Sequence, residues 1–335
     1  MHKIKQIPED FIVKEISNVT LNTNGQYAYF ILKKKNYNTL TAIETIANSL
    51  RISPKNIGFA GNKDKNAVTE QFISIKNGKK DFEKVSLNGI GLNYVGKGDE
   101  EICIGRLKGN EFYITIRGME DKEIKKLENK AKNKQIFMPN YFGEQRFSKN
   151  NHWIGKAITN RDFKKAAELV LESNSDYNDE MGQHLKKQKN DFIGALKITP
   201  LKMLKLYVHS YQSFLFNRAL EEYISANKIS SDKINYDKKI PIIGFSMELK
   251  NKKIKRIIEK IMQEEKITER DFIIRAIPHL SSEGSERNAF IKINDFKIIN
   301  VEKDELNEGK EKMVVSFSLP KGCYATVLMD FLFNA

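Results

Sequence analysis

Between Gly58 and Gln71 the chain reads GFAGNKDKNAVTEQ. Two glycines close together permit a tight turn with positive φ, and Asn62 and Asn66 favour the same geometry. Asp64 sits between Lys63 and Lys65, and neighbouring cations favour an ionised carboxylate. An ionised, positioned carboxylate can act as nucleophile or base. Taken alone, the same residues also fit an Asx turn in a basic hairpin loop.

Outward from this stretch the pattern is strand and helix in alternation. Gln26–Lys34 (QYAYFILKK) is rich in aromatic and β-branched residues and predicts a strand. Asn38 and Thr39 offer N-caps for a helix whose Leu40, Ile43, Ile46, Ala47 and Leu50 share a face, with Pro54 in its exit loop. Gln71–Ile75 predicts a second strand. Glu111–Arg117 (EFYITIR) predicts a third, with Phe112, Ile114 and Ile116 alternating against more polar positions. The glycine-rich run from Gly89 to Gly98 reads as loop.

The middle of the chain is helical in pattern over Asp162–Ser173, Thr199–Ile224 and Asn251–Glu265. In the second of these Thr199 can cap, Pro200 suits the first helical position, and Leu201, Leu204, Val208, Tyr211 and Leu215 repeat at helical spacing. Strand signals return at Ala289–Ile293, Phe296–Val301 and Met313–Leu319. Strand-rich ends around a helical middle suggest a discontinuous domain carrying an insertion.

Composition narrows the function. The 335 residues suffice for two domains, and 40% hydrophobic content points to a folded chain. No run approaches the ~18 apolar residues of a spanning helix, and MHKIKQIPEDF lacks the apolar core of a signal peptide. No membrane association and a cytoplasmic location are therefore expected. Two cysteines without CxxC spacing and five scattered histidines give no metal pattern. Lys and Arg total 57 against 43 acidic residues, a net charge of +14 that favours an anionic partner, RNA or DNA above all. The charge runs Lys186–Lys189 and Lys250–Arg256 fit either RNA contact or a solvated face.

A second stretch, Met138–Trp153 (MPNYFGEQRFSKNNHW), sets two aromatics beside Asn140, Gln145 and Arg146. A ring to stack on, an amide to read a base edge and a guanidinium for phosphate would make a base-recognition pocket. An ordinary aromatic core cluster fits the same residues.

Together the two stretches resemble the TruD family of pseudouridine synthases. Gly58, Ala60, Gly61, Lys63, Asp64, Ala67, Val68, Thr69 and Gln71 match that family's GxAGxKDxxAVTxQ motif, and Asn140 to Phe147 matches NYFGxQRF in full. In the same order, Pro8–Phe11 with Val13 and Glu15 resembles PEDFxVxE, and Gly105–Phe112 resembles GxLxGNxF. Ser210–Asn217 is similar to the helix motif of the insertion domain, and Leu319–Leu328 to the C-terminal signature. The matches run through the whole chain. One departure precedes GRLKGN, where members often carry a basic stretch and this chain has Asp99, Glu100, Glu101 and Ile102.

The resemblance implies an α+β fold: a pseudouridine-synthase catalytic domain with a mixed central sheet (1–155 and 293–335), interrupted by an inserted α/β TRUD domain (156–292). RNA would bind in the cleft between them. It implies conversion of uridine to pseudouridine in tRNA, at position 13, with no cofactor, no metal and no obligate protein partner. A non-catalytic RNA-binding protein on the same scaffold, or modification of another RNA, is the alternative. By similarity Asp64 is the essential aspartate, Phe142 stacks on the flipped uracil and Asn140 helps hold the nucleotide. Phe11 and Tyr324 match further aromatic positions of the substrate pocket, and Lys5 matches a lysine near the aspartate. Lys63 is expected to position the loop or meet a phosphate.

Overall fold

The computed structural model describes residues 2–132, 135–173, 175–227 and 237–334. The chain divides into two compact units, Met1–Ile136 with Lys292–Ala335, and Phe137–Ile291.

The first unit is built by alternation. Along β1 (Phe11–Ile16) every second residue is buried, so Phe11, Val13 and Glu15 share one face. In β2 (Tyr27–Lys35) the sequence Ala28, Phe30, Leu32, Lys34 runs along one buried face, which carries a lysine into the interior. Helix α1 (Thr39–Leu50) starts where Asn38 accepts a hydrogen bond from the Thr41 N–H at 2.8 Å. Its buried face is Ala42, Ile43, Ile46 and Ala47. Leu40, expected on that face, is 46% exposed because Thr39 takes the inward position instead.

The short β3 (Ile57–Phe59) pairs with β4 (Val68–Lys76). At Gly58 an added β-carbon would lie 2.5 Å from the Ile102 carbonyl oxygen. Close approach, and not a left-handed turn, is what this glycine serves: among the described residues with positive φ, none falls between 58 and 71. The glycine-rich run read as loop is a strand, β5 (Ile90–Gly98), antiparallel to β2. Ile90 and Leu92 pack into the core beneath α1, and Gly98 lets the strand close on Tyr29, whose ring a β-carbon would meet at 2.3 Å. After β6 (Gly109–Met119) and α2 (Asp121–Ala131) the chain leaves through β7 (Ile136–Pro139).

In the second unit, α3 (Asn151–Thr159), α4 (Phe163–Leu171), α5 (Asn178–Lys187) and α6 (Phe192–Ile198) precede the long α7 (Leu201–Asn227). Next come β8 (Lys239–Ile242), α8 (Lys252–Glu265) and β9 (Ser285–Asn288), which is antiparallel to β8. Helix α7 feeds two cores: Leu204, Tyr207 and Val208 in one, Tyr211, Leu215 and Phe216 in the other. Its first residue, Leu201, is 42% exposed, outside the apolar face expected of it. Helix α3 packs on α7 through Gly155, where a β-carbon would sit 2.0 Å from the Tyr207 carbonyl oxygen. Asn151–Thr159 lies wholly in the second compact unit.

The return passes through β10 (Phe290–Lys303), β11 (Glu311–Pro320) and α9 (Ala325–Asn334). The two strand signals at 289–301 are one strand, interrupted by a register shift between Asn294 and Lys297 where Asp295 has φ 54°. Strands order as β5-β2-β4-β1-β6-β11-β10-β7, with β3 beside β4. Pairing of β1 with β4 is parallel and that of β1 with β6 antiparallel, so the sheet is mixed and the fold is α+β.

Candidate active site

Asp64 lies on the connection between β3 and β4, and this connection is fastened from several sides. The Thr39 hydroxyl donates to Gln71 Oε1 at 3.0 Å and accepts from the Lys63 N–H at 2.9 Å. The Gln71 amide donates in turn to the Gly61 carbonyl at 3.1 Å. Lys34 Nζ donates to the carbonyl oxygens of Tyr37 (2.6 Å), Asp64 (2.9 Å) and Lys63 (3.4 Å). Thr39, Gln71 and Lys34 are all buried, so these bonds form where water does not compete for the donors.

The Asp64 side chain is about one-third exposed, and its Oδ2 pairs with Lys5 Nζ at 2.6 Å. The same ammonium stands 3.9 Å from the centre of the Phe11 ring, within reach of its π-face. Lys5 has φ 60°, a left-handed conformation that a non-glycine residue holds at a cost. The segment before Phe11 is held by Asp10, whose carboxylate accepts from the Ile7 N–H (3.0 Å) and from Arg117 Nε (2.8 Å). Arg117 is itself buried and also donates to Asp304 at 2.9 Å. Lys5, Phe11 and Asp64 are thus brought together.

Lys63 turns away from this group. Its ammonium meets Glu15 Oε2 at 2.6 Å in a pair exposed by only 7% and 0%. The strand register of β1 puts Glu15 on the inward face, two alternations after Phe11 begins it. Tyr324 stands half-buried just before α9, its carbonyl accepting from the Leu328 N–H at 3.3 Å.

In the second unit Asn140 and Phe142 are neighbours in space as in sequence. Asn140 Oδ1 accepts from Arg287 Nη2 at 2.6 Å, its Nδ2 donates to the Asn288 carbonyl at 3.0 Å, and its own carbonyl accepts from Arg287 Nε. The Arg287 guanidinium lies 4.1 Å from the Phe142 ring centre, and Phe216 meets that ring edge-on at 5.5 Å. Asn217 on α7 exchanges two hydrogen bonds with the Phe142 backbone, each 2.9 Å. Burial pushes the hydroxyl of neighbouring Tyr141 up to about 12, so that side chain stays neutral at physiological pH. Elsewhere in this unit an open groove of about 630 Å³ is lined by Arg161, Arg270 and Arg275 with Phe163, Ile273 and Ile274.

Reading the sequence for chemistry missed Lys34, Thr39, Asn217 and Arg287. Lys34 had a signal: it continues the inward register Ala28, Phe30, Leu32, where a lysine is out of place. Asn217 ends the Ser210–Asn217 helix motif. Arg287 had none. Among the described residues no group of three or more His, Cys, Asp or Glu could hold a metal ion, and no helix is long and apolar enough to cross a membrane.

A family model described as tRNA pseudouridine synthase D (TruD) matches residues 2–180, 171–237 and 228–330. The tRNA pseudouridine synthase D of Aquifex aeolicus is 30% identical, with 99% of this chain and 98% of the relative covered. A relative from Thermococcus sibiricus, described as a probable tRNA pseudouridine synthase D, is 31% identical over 98% of this chain and 93% of its own length. Among solved structures, a TruD from Methanosarcina mazei superposes with a TM-score of 0.76 at 26% identity, covering 99% of this chain and 93% of that one.

Proposed function

The chain belongs to the TruD family of tRNA pseudouridine synthases, and from that premise we propose that it isomerises uridine to pseudouridine in tRNA, at position 13, with Asp64 as the catalytic carboxylate. The observation that carries the reading is the Lys5–Asp64 pair beside the Phe11 ring. It offers a partly exposed, counter-charged carboxylate against an aromatic wall, on a loop whose backbone is tied at Gly61, Lys63 and Asp64.

The reaction breaks the C1′–N1 bond of uridine, turns the uracil and closes a C1′–C5 bond; the C5 hydrogen leaves as a proton and N1 takes one up. It is redox-neutral. The carboxylate can enter as nucleophile at C1′ or C6, or as base at C2′. The base must first leave the stack, and we assign to Phe142 stacking on the extruded uracil, worth about 1–3 kcal/mol. Phe142 carries no titratable group, so its part is packing alone. Asn140 holds the nucleotide, with Arg287 fixing the orientation of its amide. Phe11 and Tyr324 line the pocket, and Lys63 positions the loop through Glu15. The guanidiniums of Arg161, Arg270 and Arg275 offer charge to the tRNA backbone.

Tritium release from tRNA transcripts carrying [5-³H]uridine tests this. Wild type is expected to release tritium and Asp64→Asn to release none at equal tRNA affinity. Release by Asp64→Asn would remove the carboxylate from the chemistry. No release by wild type from unmodified tRNA would leave an RNA-binding protein or a different RNA substrate. Sequencing the product for pseudouridine locates the modified nucleotide.

A further inference from the structure

Lys34 is a buried lysine whose ammonium faces the backbone. Its Nζ is surrounded by the carbonyl oxygens of Tyr37, Lys63 and Asp64. An ammonium has three donors and no acceptor, and here three carbonyl oxygens meet three donors. The arrangement joins two segments: the turn leading into α1, through Tyr37, and the connection that presents the candidate carboxylate, through Lys63 and Asp64. The bond to Asp64 is to the main chain of the residue whose side chain pairs with Lys5.

We propose that Lys34 is a positioning residue for the reaction, its ammonium fixing the backbone at Asp64 so that the carboxylate is held at the reacting atoms. This rests on the reading of Asp64 as the catalytic carboxylate. Thr39 and Gln71 restrain Lys63 and Gly61, but neither touches Asp64 through these bonds, so Lys34 alone of the three holds that residue's carbonyl. A displacement of about 1 Å at a reacting group costs on the order of 100-fold in rate, which sets the size of effect to look for.

The proton on Lys34 decides whether the clasp holds. A neutral amine keeps two donors and turns a lone pair toward the third carbonyl oxygen, so one contact becomes repulsive. Burial, the main cause, pushes Lys34 down to about 8, with Lys63 adding to the shift and Asp64 opposing it. The charged groups around it are Asp64 with its partner Lys5, and Lys63 with its partner Glu15. The clasp therefore loosens as pH rises through about 8, while Arg-like permanence of charge is absent.

The test compares wild type, Lys34→Met and Asp64→Asn in single-turnover tritium release, with tRNA affinity and thermal unfolding measured on the same preparations. Lys34→Met is expected to unfold cooperatively, bind tRNA within about threefold of wild type, and release tritium about 100-fold more slowly. Its rate is expected to lack the fall above pH 8 that wild type shows. A Lys34→Met rate within twofold of wild type, or a loss of rate matched by loss of binding, overturns the proposal. If Asp64→Asn is inert and Lys34→Met is not impaired, the positioning role alone fails. If Asp64→Asn is active, both readings fall. Should Lys34→Met not fold, wild type decides: ¹³Cε-lysine resonances must show one lysine titrating near pH 8, with the single-turnover rate falling at the same midpoint and tRNA affinity unchanged. The absence of either coincidence overturns the role.

Discussion

Lys34 sets function and stability against each other, and the sign of its linkage makes this measurable. In the folded chain burial pushes its ammonium from the ordinary 10.5 to about 8. Between these values the unfolded chain binds the proton and the folded chain does not, so unfolding free energy rises with pH across that window. Below pH 8 the buried charge is a constant burden, and it is fully relieved above 10.5. The full shift corresponds to about 3 kcal/mol. Wild type should therefore gain stability relative to Lys34→Met by roughly that amount between pH 7.5 and 10.5, the interval over which its turnover is expected to fall. Urea unfolding of both proteins at the two pH values checks this, and a stability difference that stays flat would contradict the burial of a charged lysine. Glu15 and Lys63 make a different choice with buried charge. They neutralise each other at 2.6 Å, an arrangement that removal of one partner turns into an unpaired buried ion.

At the scale of elements, the close contact of α3 with α7 depends on one glycine. A β-carbon at 155 would meet the Tyr207 carbonyl oxygen at 2.0 Å and the Tyr211 β-carbon at 3.0 Å. Backbone cannot yield as a flexible side chain does, so the helices must part. Gly155→Ala is expected to cost about 1–3 kcal/mol, in spite of alanine's better helix propensity, and to lower the midpoint of urea unfolding. A variant as stable as wild type would show that the two helices can separate freely.

The elements also show what the sequence could reveal and where it could not. Strands with one polar and one apolar face, such as Glu111–Arg117, were legible because the period of two is printed in the residue types. So was α1, through Asn38 at its cap. The β5 strand was not, because its glycines read as loop residues, whereas Gly98 is there for close approach to Tyr29 of β2, which composition cannot distinguish from a turn. The site divides the same way. Lys5 and Phe11 were legible only through motif resemblance, Asp64 through that and its flanking lysines, and the structure brings those three together. That Lys63 would bend back to Glu15, and Lys34 come up beneath Asp64, depends on strand register across β1, β2 and β4. Such pairing is non-local and leaves no local trace.

For the whole molecule, a charge of +14 says that a polyanion is attracted and not where it lies. Local pairing narrows the choice. Of the two charge runs read as possible contacts, the one leading into α8 is partly spent: Lys250 and Lys255 face Glu248 and Glu259 at 2.8 and 3.8 Å, and Lys260 farther along faces Glu222 at 3.2 Å. In the groove, Arg161 faces Asp271 at 3.4 Å, and Arg270 and Arg275, both exposed, line it together with Ile273 and Phe163 and offer their charge to phosphate. Phosphate contacts release counterions, so each one steepens the dependence of affinity on salt by roughly 0.7–0.9 in the logarithmic slope. The double substitution Arg270→Ala with Arg275→Ala is expected to weaken tRNA binding at low salt and to reduce that slope by roughly 1 to 2. The single-turnover rate at saturating tRNA should stay that of wild type, because neither residue acts on the base. Filter binding from 50 to 300 mM KCl reads the slope directly. An unchanged slope would move the contact elsewhere on the surface, to Lys186–Lys189 first, while a lost rate at saturation would mean that the groove orients the target as well as attracting it.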